Sequence, residues 1–255
     1  MPDPTSMDKV PVIGNQITPS DLGCVEHRVV ELAKMGGRCF VCIANVHMVV
    51  TAKLNELLRS AMEAAAIVTS DGMPLVWELR RQGFKDAGRV SGPDLMMELC
   101  ERAQGEGLPI YFYGGSPSVV EIMKGKLVER FPDLTVAGIE SPPMLPDVPE
   151  VDQMVVDKIK DSGAKIVFVG LGCPKQELWM HAYSQHIPAV LIGVGAAFDF
   201  FAGTVKRAPL WMQKYGLEWF YRLCSEPRRL WKRYLVTNSL FIWYWLKERL
   251  SSRDL

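Results

Sequence analysis

Apolar residues in this chain fall in short unbroken runs, each followed by a polar turn and then by a longer segment of helical period. Runs at 38–43, 67–69, 109–113, 134–137, 165–169 and 189–192 read as strands. Unbroken rather than alternating apolarity is what a strand buried on both faces shows. Segments at 21–35, from Val46 to about 62, 73–83, from Leu95 to about 105, 117–130, 150–161 and 174–185 read as helices. Gly36-Gly37 ends the first of them, and the proline-rich stretch 141–149 reads as a surface loop. Strands that alternate with helices, without internal repeats, predict an α/β fold with a mostly parallel sheet and helices on both faces.

Beyond Asp199 the pattern changes. Residues 208–249 show no strand-like alternation and hold five of the seven tryptophans: Trp211, Trp219, Trp231, Trp243 and Trp245. The expected organisation is therefore a Rossmann-like body over 1–205 and a helical C-terminal appendage over 206–255. Charge divides at the same place. The chain has 29 basic and 29 acidic residues, but 206–255 has eleven Lys/Arg against four Asp/Glu, leaving eighteen against twenty-five for the rest. A basic, aromatic tail on an acidic body points to an anionic partner. Tryptophan and tyrosine among arginines suit a lipid interface, whereas a helical cap docked on the sheet would have the same composition.

Other features narrow the function classes. No run reaches the eighteen or so apolar residues that span a bilayer, and Met1-Pro2-Asp3-Pro4 lacks the basic-then-apolar pattern of a secretory signal. A cytoplasmic location is expected. The six cysteines then read as reduced thiols. Cys39-Phe-Val-Cys42 has no answering pair for a zinc site and lies in a strand, so both cysteines read as core. Basic residues confined to a tail without a known motif argue against a nucleic-acid partner.

Candidate chemistry collects at strand ends. Ile67-Val-Thr-Ser70-Asp71-Gly72-Met73-Pro74 places an acid where a buried strand stops and a proline-led helix begins. Open α/β sheets keep their ligands at that end, and Asp71 could equally be a helix N-cap. Glycine turns at Gly114-Gly115, Gly170-Leu-Gly172 and Gly193-Val-Gly195 let backbone approach phosphate closely. None fits the dinucleotide fingerprint or a P-loop, which argues against a nucleotide-dependent oxidoreductase. Gln176 could hydrogen-bond a phosphate or a base edge, and Asp199, just after a strand, could accept from ribose hydroxyls or be another helix cap. His47 stands alone, and neither a nucleophilic triad nor metal-ligand spacing occurs, so metal-free chemistry without a cofactor is expected.

Several of these motifs recur together in a known order: Asn45 with His47; Ser70-Asp71-Gly72-Met73; Arg89-Val-Ser-Gly92-x-Asp94-Leu95; Tyr113-Gly114-Gly115; Gly172-x-Pro174-x-Gln176-Glu177-x-Trp179; and Gly195-Ala-x-Phe198-Asp199. Gly216-Leu-Glu-Trp219-x-Tyr221-Arg222 and Glu226-Pro227-x-Arg229 complete the set. Over about residues 10–235 the chain resembles the WecG/TagA/CpsF glycosyltransferase family. The resemblance implies inverting transfer of a sugar from a UDP donor to a polyprenyl-diphosphate-linked glycan, with Asp71 as general base. It implies that Asn45 and Arg89 line the pocket and that Gln176 and Asp199 lie around UDP. Arg222, Arg229 and Arg233 would belong to a basic appendage that closes over the site and reaches the inner face of the plasma membrane.

One motif departs: Ile43-Ala44-Asn45 replaces the Thr-Pro-Asn or Thr-Ala-Asn of several members. Together with Asp71-Gly-Met-Pro-Leu-Val-Trp77, this leans toward exopolysaccharide-type members, so the implied donor sugar is N-acetylmannosamine or another hexose. A non-catalytic nucleotide-sugar-binding protein docked on a membrane complex would use the same glycine turns and basic tail. Self-association into a dimer or trimer would cover exposed apolar appendage surface as well as lipid does.

Overall fold

The computed structural model describes residues 7–251, so Met1-Pro2-Asp3-Pro4 lies outside the described residues. A six-stranded sheet forms the centre, built from β3 (Cys39–Ala44), β4 (Ile67–Ser70), β5 (Ile110–Gly114), β6 (Val136–Glu140), β7 (Ile166–Gly170) and β8 (Val190–Gly193). The order is β4-β3-β8-β7-β5-β6, and every pairing in it is parallel. The α/β expectation holds.

Each interior strand divides its apolar residues between two layers, because successive side chains point to opposite faces. On β3, Phe40, Cys42 and Ala44 enter one cluster while Val41 and Ile43 enter the other. On β5, Tyr111 and Tyr113 enter the first while Ile110 and Phe112 enter the second. The first layer is covered by α2 (Val46–Leu54), α3 (Glu56–Ala64), α4 (Met73–Arg81), α7 (Gln153–Asp161) and α8 (Lys175–Tyr183). The second is covered by α1 (Leu22–Lys34), α5 (Gly92–Glu106), α6 (Pro117–Arg130) and α9 (Ala197–Ala202). Cys42 is buried as expected, but Cys39, at the start of its strand, is only half-buried.

Some boundaries differ from the sequence reading. The single helix expected from Val46 to about 62 is two, because Asn55 leaves the helical conformation and its side chain accepts from Leu58 N to cap α3. The strand expected at 134–137 lies at Val136–Glu140, and the helix expected at 150–161 starts at Gln153 behind an Asp152 cap.

A two-stranded antiparallel hairpin, β1 (Val10–Val12) and β2 (Asn15–Ile17), was not expected. Its turn needs positive φ at both Ile13 and Gly14, which isoleucine adopts rarely. The Ile13 side chain is buried, and burial outweighs the backbone preference. Beyond the hairpin, Thr18 exchanges hydrogen bonds with Val68 and closes the open edge of β4.

Among the described residues the appendage is built from three helices, α10 (Leu210–Lys214), α11 (Glu218–Ser225) and α12 (Pro227–Ser251). It is docked. Phe241 of α12 joins the first-layer cluster, with Leu240, Tyr244 and Trp245 packed against it. Trp245 Nε1 donates to Glu78 Oε2 at 2.9 Å.

Candidate active site

Asp71 follows β4 directly, and its backbone N–H donates to Ala44 O at the end of β3. The N-cap of α4 is Gly72, not Asp71. With the capping role gone, the carboxylate is free for other work. Beside it, Asn45 caps α2 by accepting from Met48 N at 3.1 Å. A Cβ on Gly72 would lie 3.8 Å from the Asn45 Cα, so the exits of β3 and β4 press together. Ile43, just before these exits, packs into the second core layer.

Arg89 lies over Asp71 with Nε 3.4 Å from Oδ1. Its Nη2 reaches Glu218 Oε2 at 2.9 Å and Asp94 Oδ2 at 3.8 Å. Arg207 grips Asp94 with both ends of its fork, at 2.5 and 2.7 Å, and its Nε stands 3.7 Å from Glu218 Oε1. The cluster thus holds three carboxylates against two guanidinium groups. Asp71 keeps 30% of its side-chain surface open. Burial of the rest pushes its carboxyl up to about 6; Arg89 and Arg207 oppose this, and Glu218 and Asp94 add to it.

Across the sheet, the three glycine turns form one ledge. Gly114 pairs with Gly170, and Val169 with Gly193. A Cβ on Gly114 would strike Gly170 O at 2.5 Å, so only glycine permits this approach. Connections leave β5 toward β6 and β7 toward β8, which makes the β5/β7 boundary the switch point of the sheet. Gln176 lies beneath the ledge, 4% exposed, and its Oε1 accepts from both Gly172 N and Gly195 N at 3.2 and 3.1 Å. Its Nε2 donates to Glu177. Gln176 therefore ties two of the turns together. Glu177 is fully buried with Oε2 unpartnered, and burial pushes its carboxyl up to about 7.

Asp199 stands in the first turn of α9, where its Oδ1 accepts from Thr204 Oγ1 at 3.4 Å. Arg222 of α11 lies 5.5 Å from the Phe200 ring, one residue away. Burial lowers the pKa of Arg233; Tyr234 and Cys173 oppose this, and Arg222 and Arg229, close by, add to it. Arg233 also faces Cys173 of the β7 turn and His47 of α2. Burial, then Arg233, lowers His47 to about 4, so the imidazole is neutral at physiological pH. The Nε atoms of Arg222 and Arg233 are buried without a hydrogen-bond partner.

Asp71, Asn45 and Arg89 thus form one group, and Gly114, Gly115 and Gln176 another. The appendage arginines reach the rim between them. No group of three or more His, Cys, Asp or Glu is arranged for a metal ion among the described residues. Asp94, Arg207 and Glu218 were given no role by sequence reasoning, since the Arg207–Asp94 pair spans 113 positions. A hint was available for Asp94 and Glu218 in the unassigned charges of the Arg89–Leu95 and Gly216–Arg222 motifs, and none for Arg207.

Residues 10–255 match the family model described as Glycosyl transferase WecG/TagA/CpsF family. The chain belongs to that family, and is a glycosyltransferase of cell-surface polysaccharide synthesis.

Proposed function

We propose that the protein is an inverting glycosyltransferase that moves a hexose, N-acetylmannosamine or another, from a UDP-sugar to a polyprenyl-diphosphate-linked glycan. The observation that carries this reading is a raised, accessible carboxyl at one strand end facing a glycine ledge three strands away. At ~4.8 Å per strand, β4 and β7 exits lie ~14 Å apart. The diphosphate would lie on the ledge near Gly114, Gly115 and the turns tied by Gln176, with the uridine toward Asp199. The sugar would then point to Asn45 and Asp71.

Asp71 takes the proton from the acceptor hydroxyl while that oxygen attacks the anomeric carbon from the face opposite UDP. The bond from that carbon to the β-phosphate oxygen breaks, and UDP departs with the electron pair. Arg222, Arg229 and Arg233 meet the negative charge that develops there, the buried unpartnered Nε–H groups of Arg222 and Arg233 being ready donors. No metal or cofactor enters this scheme.

The lipid-linked acceptor is supported by the outer face of α12. Trp231, Leu235, Ile242, Trp243, Leu246 and Leu250 are all exposed there, beside Arg228 and Lys232. No described helix is long and apolar enough to cross a membrane. Such a face suits peripheral attachment to an anionic leaflet, which in this reading is the inner surface of the plasma membrane.

The test is UDP release from a panel of UDP-sugars, with and without a short-chain polyprenyl-diphosphate-GlcNAc acceptor. Acceptor-dependent release with one donor is expected. UDP binding with silence across the panel would favour a non-catalytic nucleotide-sugar-binding protein.

A further inference from the structure

Three contacts from the appendage converge on the immediate neighbours of Asp71. Gly216, with φ +71°, brings the α10–α11 link against Met73, where a Cβ would come within 2.7 Å of the side chain. Gln213 O accepts from Arg89 Nη1 at 3.5 Å. Glu218, in the first turn of α11, takes Arg89 Nη2 at 2.9 Å, closer than the 3.4 Å that separates Arg89 from Asp71.

We propose that Glu218 is a positioning residue: it holds Arg89 from the appendage side, so that the guanidinium cannot close on Asp71, whose carboxylate stays available to accept a proton. Docking of α11 is thereby coupled to the chemistry at residue 71. The inference rests on the reading of Asp71 as the general base.

The alternative arrangement shows why this matters. A guanidinium free of Glu218 would turn its fork onto Asp71, and a paired carboxylate is a weaker base. The groups facing Asp71 come from several segments: Arg89 before α5, Asp94 within it, Arg207 before α10, Glu218 on α11 and Tyr234 on α12. Two cations cannot neutralise three carboxylates at once. Arg207 is committed to Asp94 and brackets Oε1 of Glu218, while Arg89 brackets Oε2. Asp71 is the acid left with the weakest contact.

The experiment compares full-length wild type with Glu218→Gln, which keeps the shape and removes the charge. The Asp71 carboxyl is titrated by carbon-13 NMR on protein labelled at aspartate, and the pH dependence of sugar transfer is recorded alongside. The Asp71 midpoint should fall by about one pH unit, both because a like charge is gone and because Arg89 is released. The acid limb of transfer should move with it, and the plateau should drop roughly threefold. Glu218→Asp, whose carboxylate is withdrawn by one methylene, should fall between the two and serves if the Gln variant does not fold. An unchanged midpoint in both variants would overturn the proposal, even where activity is lost, and would leave Glu218 a purely structural contact. Normal turnover by Asp71→Asn would instead remove the base reading, whatever the NMR midpoints show.

Discussion

Two raised carboxyls separate the chemistry of this protein from its stability. As the proposed base, Asp71, at about 6, must be ionised to accept a proton, so transfer should decline as pH falls through about 6. A pH series of initial rates checks this. Glu177, at about 7, is buried with one oxygen unpartnered and takes no part in the proposed transfer. Its folded value lies above the ordinary 4.5, so the folded state binds the extra proton. Stability should fall as pH rises from about 4.5 to about 7. Glu177→Gln should therefore stabilise the protein by about 2–3 kcal/mol at pH 8 and change little at pH 4, as denaturant melts at the two values would show. Asp71 was legible in the sequence because it interrupts a buried run. Its neighbours Glu218 and Arg207 were not, since ordinary surface charges look the same until the fold brings them together.

Among the elements, the sheet could be read almost strand by strand, because a parallel strand covered on both faces leaves an uninterrupted apolar run. The β1–β2 hairpin could not. It is two strands of three residues, joined by an isoleucine in a conformation that only its buried position explains. The break at Asn55 had a signal, a capping residue inside an apolar stretch, that periodicity alone hides. The α10–α11 link carries a test of its own. Gly216→Ala adds both a strained φ and a contact with Met73, at a cost of about 1 kcal/mol or more. The variant should loosen the appendage, seen as faster amide hydrogen exchange in α11 and lower transfer, with the sheet unaffected.

At the scale of the whole molecule, α12 has one packed face and one exposed face. Phe241 and its neighbours close the core over α2, while Leu235 and Trp243, 63% and 53% exposed, belong to the outward stripe. The composition of 206–255 left a docked cap and an interfacial surface as alternatives; the helix is docked, and the proposed lipid contact falls to its outward stripe. Leu235→Glu with Trp243→Glu should lower binding to anionic vesicles at least roughly tenfold in a sedimentation assay, leaving the melting temperature nearly unchanged. Equal binding would move the lipid contact elsewhere. The account as a whole depends on one carboxylate with transfer chemistry on either side of it. The most direct measurement is sugar transfer by Asp71→Asn at pH 8, with UDP-sugar binding measured on the same preparation. A loss of about 10²-fold or more with donor binding retained is predicted. Transfer at the wild-type rate would contradict it.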